Sequence, residues 1–530
     1  MLEVMLILLA ASVAMGLSVR YRVPSIPLMI GTGIALGSFG WMGSVEDMQN
    51  TLLLGIAFLL FVVGSELDLN AVGKEKRAAL GFGLVQFALL GGVSLGTAML
   101  LGFGVRASLY IGLAIASSST LVVVTLLRRR EQFFESFGRL AIGVVLLQDV
   151  LVILALPLLI STSLSDAAGG VASTLAMLAL AWVCARWAVP AIMLRLERDE
   201  EALLLVMLAV LFCFLGLAFA LGVPLETGAF LAGLAMSRFP VSGLVRGQLG
   251  SLADFFLAVF FVTLGVLFGT IAPLVETSEV VFNGVLLASI LLLAPMLLVP
   301  LARRFGLTTR SSIEVTNLLA QSGELSLVVV LLGLERGHVD ESVLGTIVLL
   351  TVITMIVSPL LSSDRMTWRI MHMLPGPQRR GVSVDHHGHL VFIGCGTSTR
   401  ELIRRAVDAG EKVVAVDDDS AVVEELSSCG VEAIRGDGAD PWLLRRLGIR
   451  DAKLVVSTMR RRGDHERLLR LAGDTQVIVR TFEHDAAERL GSLGATVISE
   501  SDEGASAFLH WFDEHFAPQR EAEDDAASGG

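Results

Sequence analysis

Charge is what this chain has least of. Only 17% of its 530 residues are Asp, Glu, Lys or Arg, against about 25% in a soluble globular domain. Mean hydropathy is +0.73. Such a composition excludes an ordinary soluble enzyme. Basic charge is in short supply as well: 40 Lys and Arg stand against 52 Asp and Glu, a net of −12. A nucleic-acid binder is thereby excluded, since a phosphate backbone asks for the opposite sign. There are four cysteines, Cys184, Cys213, Cys395 and Cys429, far apart and without metal-ligand spacing. They read as small apolar residues of a reducing compartment, not as a disulfide framework. No basic stretch and no small-residue cleavage site mark the first apolar run as a removed leader, so it is expected to stay as a membrane span.

The shortage of charge is uneven. Residues 1–375 hold 21 basic and 24 acidic side chains; residues 376–530 hold 19 and 28. A long apolar part thus precedes a shorter acidic, soluble part. Runs near the roughly 20 residues that cross a bilayer number thirteen: about 2–19, 24–40, 51–67, 79–104, 105–127, 137–161, 169–194, 202–222, 224–239, 253–273, 279–301, 311–335 and 340–364. Connections after odd-numbered runs carry 18 Lys and Arg, whereas those after even-numbered runs carry two, Arg106 and Arg336. Arg186 falls inside the seventh run. A positive-inside bias puts the N-terminus outside and everything after run thirteen in the cytoplasm.

Runs five and twelve share a local pattern. Ala116-Ser117-Ser118-Ser119-Thr120-Leu121-Val122-Val123-Val124 and Ala320-Gln321-Ser322-Gly323-Glu324-Leu325-Ser326-Leu327-Val328 match at four of nine positions, at a constant offset of 204. With seven runs between equivalents, two halves of six runs flank a linker run and are inverted in the membrane. Inverted repeats with polar, interrupted helices at matching places mark secondary transporters, whose site lies at the midplane. The hydroxyl run Ser117 to Thr120 can bond its own backbone and loosen the helix. Unwound carbonyls and hydroxyls are hard oxygen ligands that suit a group I cation. Small serines also serve close helix packing.

A charge at the bilayer centre costs at least about 2.5–3.5 kcal/mol, so it is a functional candidate. Asp149, in Leu147-Gln148-Asp149-Val150, lies near the middle of run six. One such carboxylate can hold either a proton or a cation, the minimum for exchange. Glu66 near the end of run three, and Glu324 beside Gln321 in run twelve, either line an ion path or satisfy helix ends. Glu226, Asp254 and Glu314, near run ends, are expected to be solvated.

From His389 the pattern changes to α/β. His389–Ile393 reads as a strand, Gly394-Cys395-Gly396-Thr397-Ser398-Thr399 as a phosphate-binding turn, and a helix follows near Arg400. Lys412–Asp417 is a second strand whose terminal acid stands 21 residues after Gly396. This is the spacing of a dinucleotide-binding βαβ unit, with Gly394 and Gly396 letting backbone approach the phosphates and Asp417 taking ribose hydroxyls. Thr399 replaces the third glycine. Further strands are expected at 431–435, 453–457, 476–479 and 496–499. No catalytic constellation accompanies them, so the domain reads as a sensor.

Together these motifs resemble a known family: the bacterial monovalent cation:proton antiporters of the Kef type, glutathione-gated potassium efflux systems. The resemblance rests on Gly64-Ser65-Glu66-Leu67-Asp68, Ser117-Ser118-Ser119-Thr120, Gln148-Asp149, Gly228-Ala229-Phe230-Leu231-Ala232-Gly233, Phe260-Phe261-Val262, Gln321-Ser322-Gly323-Glu324, and in the soluble part Gly394-Cys395-Gly396, Asp417 and Gly436-Asp437-Gly438. It implies an NhaA-like helical membrane domain followed by a Rossmann-like regulatory domain of the RCK, or TrkA-N, type. It further implies that Asp149 is the exchanged-proton carboxylate with Gln148, Thr120 and Ser119 near the ion, and that Asp437 lies near the adenosine of AMP, NAD or NADH. Gln148 in place of a second acid, and no basic residue in run ten, resemble the electroneutral, potassium-preferring branch. Thr399, and the lack of a second regulatory subdomain, count against glutathione gating and an ancillary regulatory subunit.

The resulting expectation is a homodimeric, lipid-embedded K⁺/H⁺ or Na⁺/H⁺ antiporter of the bacterial inner membrane. Its ion site is Asp149 with Gln148, Thr120, Ser119 and Ser118, and a core carrying runs five, six and twelve shifts like an elevator. The segments are a transport domain over 1–364, a linker over 365–387, a nucleotide-binding domain over 388–516, and an acidic disordered tail over 517–530. Thr397, Ser398 and Thr399 join Gly394, Gly396, Asp417 and Asp437 as the nucleotide site. Two rivals are a ligand-gated cation channel and an NAD-linked membrane oxidoreductase. The first lacks a carbonyl-filter motif; the second lacks any other redox ligand set.

Overall fold

The computed structural model describes residues 2–21, 25–39, 45–65, 76–130, 132, 135–161, 163–193, 200–237, 255–267, 269, 277–373, 387–459, 461–481, 484–500, 506, 508, 510 and 511. The chain divides into two compact units, Met1–Phe305 with Ser311–Ile370, and Gly306–Arg310 with Met371–Gly530.

Among the described residues the first unit is built of helices. Helices α1 (Leu2–Tyr21), α2 (Ser25–Ser38), α3 (Val45–Ser65) and α4 (Lys76–Leu100) open it. The weak boundary between runs four and five is a tight turn at Gly102, whose φ of 93° only glycine adopts readily. Run five is two helices, α5 (Val105–Ala116) and α6 (Thr120–Arg129). Next come α7 (Ser136–Ile160), α8 (Leu164–Val183) continuing through a π-helical turn into α9 (Val189–Met193), α10 (Glu200–Ala220) and α11 (Leu225–Ala235). Then follow α12 (Phe255–Leu267) and α13 (Thr277–Ala288), the latter joined by a second π-helical turn to α14 (Ala294–Arg304). Run twelve is again two helices, α15 (Thr309–Leu319) and α16 (Glu324–Glu335), and α17 (Glu341–Leu361) ends the series. Six of the described helical stretches are long and apolar enough to cross a membrane, the interrupted stretch Thr309–Glu335 among them.

Glycines set where these helices touch. A Cβ on Gly33 or Gly37 of α2 would strike the backbone of Val262 or Val266, and one on Gly265 or Gly269 would strike Ile30 or Ile34. In the same way Gly55 of α3 abuts Phe260, Gly64 and Gly233 lock α3 to α11, and Gly228 meets Phe214 of α10. A separate set joins α4 to α7 through Gly83 and Leu147, α4 to α5 through Gly91 and Gly112, and the α14 end to α4 through Gly81 and Phe305. Gly323 and Gly333 bind the twelfth run to the fifth. Among the described residues no close glycine contact links α2, α3, α10, α11 and α12 to α4, α5, α7, α14 and α16.

Two acids expected in solvent are instead buried. Glu226 is 7% exposed in the first turn of α11, and Glu314 is 3% exposed within α15. Run ends are apolar enough to be enclosed by neighbouring helices, which a linear pattern does not reveal. Asp254 lies outside the described residues.

Helix α18 (Asp364–Met373) follows the last span, within the stretch read as a linker; residues 374–386 and the tail from 517 lie outside the described residues. The second unit contains a six-stranded parallel sheet: β1 (Leu390–Ile393), β2 (Val413–Asp417), β3 (Glu432–Arg435), β4 (Leu454–Ser457), β5 (Val477–Thr481) and β6 (Thr496–Ser499). Strand order is β3-β2-β1-β4-β5-β6, a doubly wound order with its switch point between β1 and β4. Side chains alternate faces. Val391, Ile393, Val414 and Val416 join one core layer, while Leu390, Phe392, Val413 and Ala415 join the other. Both layers are apolar because helices cover both faces of a parallel sheet. The helices are α19 (Thr397–Asp408), α20 (Ser420–Ser428), α21 (Pro441–Arg446), α22 (Arg462–Ala472) and α23 (His484–Ser492). The first begins three residues before Arg400, at Thr397.

Candidate functional site

The two interrupted helices cross each other. Helix α5 ends at Ala116, and Ser117 turns to an extended conformation. Helix α15 ends at Leu319, and Gly323 is likewise extended before α16. The Gly323 N–H donates to the Ser117 carbonyl at 3.0 Å. The Ser118 hydroxyl donates to the Leu319 carbonyl at 2.8 Å, and the Ser326 hydroxyl to the Ala114 carbonyl at 2.5 Å. Each half-helix thus has an open C-terminal carbonyl satisfied by a hydroxyl of the other interrupted helix. This is how unwound backbone survives inside an apolar unit. A Cβ at Gly323 would sit 2.8 Å from the Ser118 backbone, so only glycine lets the two breaks touch.

Asp149 lies on α7, 1% exposed, and accepts a 2.9 Å hydrogen bond from Thr120 Oγ1, the first residue of α6. The carboxylate therefore lies beside the N-terminus of a half-helix, where partial positive charge favours an anion. Gln148 is fully buried; its Oε1 accepts from the Ser118 N–H at 3.0 Å. Ser119 Oγ caps α6 by accepting from the Val122 N–H at 3.3 Å. Gln321 is fully buried in the second break, and neither end of its amide has a partner among the described residues. The Ser117 hydroxyl is in the same position. Glu324, 2% exposed, is the first residue of α16. Glu66 lies outside the described residues.

Some partners escaped the sequence reading. Thr351 and Thr354 of α17 bond to Ser322 at 3.2 and 3.0 Å, and Ser358 donates to the Asn317 carbonyl at 2.6 Å. Their spacing puts three hydroxyls on one face of an apolar helix, a signal legible in principle. Gln86 of α4, fully buried, accepts from Gln148 Nε2 at 2.5 Å.

In the second unit the glycine turn fits a nucleotide. Gly394 has φ of 80°, and a Cβ there would meet Thr458. Gly396 precedes α19 and offers no side-chain cap, and the space where its Cβ would stand is open. The N–H groups of the first turn of α19 thus face a place that phosphate suits. Asp417 accepts from the Cys395 N–H at 2.6 Å and from the Asp419 N–H at 2.9 Å. A carboxylate has about four acceptor sites, so two remain for ribose hydroxyls. Asp437 closes its own turn by accepting from the Ala439 N–H at 2.9 Å. Thr399 is buried, and its hydroxyl stands 3.4 Å from that of Thr458. The side chains of Thr397 and Ser398 lie outside the described residues. Cys395 is buried, and burial followed by the nearby Asp417 charge pushes its thiol up to about 12, so it is inert near neutrality.

Residues 6–363 match the sodium/hydrogen exchanger transmembrane family, and residues 390–500 match the TrkA-N domain. The chain belongs to the sodium/hydrogen exchanger family. It is a cation/proton antiporter with a C-terminal TrkA-N domain. Among solved structures, the sodium proton antiporter MjNhaP1 of Methanocaldococcus jannaschii shares the fold at 16% identity, covering 69% of this chain and 96% of its own, with a TM-score of 0.53. The TrkA-N domain of the Escherichia coli inner membrane protein ybaL matches 24% of this exchanger and 98% of its own length, at 22% identity and a TM-score of 0.23. The GsuK channel bound to NAD matches 28% of the exchanger and 30% of itself, at 20% identity and a TM-score of 0.21.

Proposed function

We propose that this exchanger moves one K⁺, or Na⁺, against one H⁺ through Asp149. The carrying observation is one enclosed carboxylate bonded to Thr120 at the N-terminus of a half-helix. Protonated, it is neutral; ionised and holding a monovalent cation, it is neutral again. A cycle between those two loaded states moves no net charge. Gln148, in place of a second acid, supports the one-for-one ratio. Thr120, Ser119, Ser118 and Gln321 offer oxygen ligands around the crossing, and the buried Gln321 amide has no partner among the described residues. Glu324 joins the polar lining of the path, and Glu66 is assigned to it from the sequence alone. The preference for K⁺ rests on resemblance alone.

The segregation of glycine contacts supports an elevator-type shift. One set of helices is locked around α2, α3 and α12, another around α4, α5, α7 and α16, and the second carries the crossing. The loop charges support an outside N-terminus and a cytoplasmic TrkA-N domain in a bacterial inner membrane. That domain gates transport through AMP, NAD or NADH held by Gly394, Gly396, the α19 N-terminus, Asp417 and Asp437, and the working unit is a homodimer.

The test is proton flux in proteoliposomes with an interior pH dye, on adding K⁺ or Na⁺ with and without nucleotide. Wild-type protein is expected to exchange and Asp149→Asn to be silent. A variant that still exchanges moves the site elsewhere, and cation flux without proton coupling favours a channel.

A further inference from the structure

We infer that Gln86 is a positioning residue for exchange, and that Gln148 is the clasp it holds and not a ligand of the ion. This rests on Asp149 being the exchange carboxylate. The amide orientations follow from one backbone group. The Ser118 N–H can only donate, so the Gln148 atom 3.0 Å away is its oxygen. The Gln148 nitrogen then faces Gln86, 2.5 Å away, and Gln86 must present its own oxygen. Its own nitrogen is left buried and without a partner among the described residues.

That remaining nitrogen is informative. A buried amide with an orphaned donor is costlier than an apolar side chain of similar size. Gln86 lies fully buried in the apolar helix α4. Its oxygen is therefore the part in use. Gly83, one turn earlier, makes the contact geometrically accessible: a Cβ there would lie 2.9 Å from Leu147, so glycine brings α4 against α7 at this level.

The chain of bonds runs from α4 through α7 to the break in run five. Gln148 holds Ser118, whose hydroxyl reaches the Leu319 carbonyl of the other interrupted helix. Two residues on, Thr120 meets Asp149. Gln148 has both ends of its amide engaged by protein: the Ser118 N–H holds its oxygen, and the Gln86 oxygen holds its nitrogen against turning over. If the amide turns over, its NH₂ meets the Ser118 N–H, donor against donor, and the break loses its anchor. Thr120 then drifts from Asp149, which weakens cation binding without removing the carboxylate.

The experiment compares Gln86→Leu, Gln86→Glu and Asp149→Asn of the full chain in proteoliposomes. It reads apparent KM for K⁺ and maximal proton flux, with hydrogen exchange at Ser118. Gln86→Leu is expected to raise KM about tenfold while maximal flux changes less than threefold, and to expose the Ser118 amide. Gln86→Glu, whose carboxyl oxygen still accepts from Gln148, is expected to return KM to within about twofold of wild type. If Gln86→Leu does not fold, Gln86→Asn, one methylene too short to reach, takes its place with the same expectation. A wild-type KM in the folded Leu or Asn variant overturns the proposal. So does a Glu variant no better than either. Exchange surviving in Asp149→Asn overturns the site reading itself, whereas a silent Asp149→Asn beside an unaltered Gln86→Leu removes the clasp alone.

Discussion

His465 limits the acid tolerance of the soluble unit. Its Nε2–H donates to the Met459 carbonyl at 2.7 Å, and its Nδ1 lies 3.2 Å from the Ser457 hydroxyl. The ring is neutral, and burial lowers its pKa to about 4. The unfolded chain takes up a proton near pH 6.5 that the folded form refuses. The stability from this group is complete above pH 6.5 and lost as pH falls through about 4. Over that window the loss is about 3 kcal/mol. Hydrogen exchange of β4 measured against pH checks it: His465→Gln, which keeps a donor for Met459, is expected to flatten the slope. A slope unchanged in that variant sinks the assignment. The burial of Asp149 was legible at this scale, because a lone acid in the middle of an apolar run is enclosed by whatever that run packs against. The hydrogen bond from Gln148 to Gln86 was not, since the two sit on different helices. Nor was the burial of Glu226 and Glu314, which depends on neighbours brought up by the fold.

At the scale of elements, the offset of 204 between runs five and twelve carries over to the backbone. Thr120 opens α6 and Glu324 opens α16, at equivalent positions of the two runs. The repeat was therefore readable to the residue, although only four side chains match. What could not be read was that the breaks touch through Gly323. Gly323→Ala sets a Cβ 2.8 Å from backbone that cannot rotate away. Overpacking of this kind costs about 1–3 kcal/mol, and proton flux is expected to fall at least tenfold. Gly216→Ala, with open space around it in α10, is expected to leave flux unchanged and to match or exceed wild-type thermal stability, as alanine favours helix by about 1 kcal/mol. Equal effects of the two substitutions count against the crossing. In the soluble unit every expected strand formed, because alternating apolar layers under two helical faces leave little freedom. Helix α19 began early because Thr397 and Ser398 can occupy a first turn.

For the whole molecule, charge scarcity and its uneven spread were enough to separate a transport part from a soluble part. Periodicity does not show which helices pack closely together; that information lies in glycine contacts between distant runs. Gly33→Val forces α2 off α12, and thermal unfolding in detergent is expected to drop by several degrees, since about 1 kcal/mol shifts a chain above 150 residues by roughly 2–4 °C. An unshifted transition removes α2 and α12 from the locked set.

The same segregation gives damage two signatures in a cell. A substitution at a glycine that only packs the set away from the crossing, such as Gly33 or Gly233, is expected to injure folding, so fewer copies reach the bilayer while each survivor runs at full speed. If the two sets shift against each other as proposed, a substitution along the seam between them is expected to leave copy number alone and slow every copy. Dosage and tempo separate. A survey of variants scored for abundance and for growth under ionic stress would trace that seam by genetics alone.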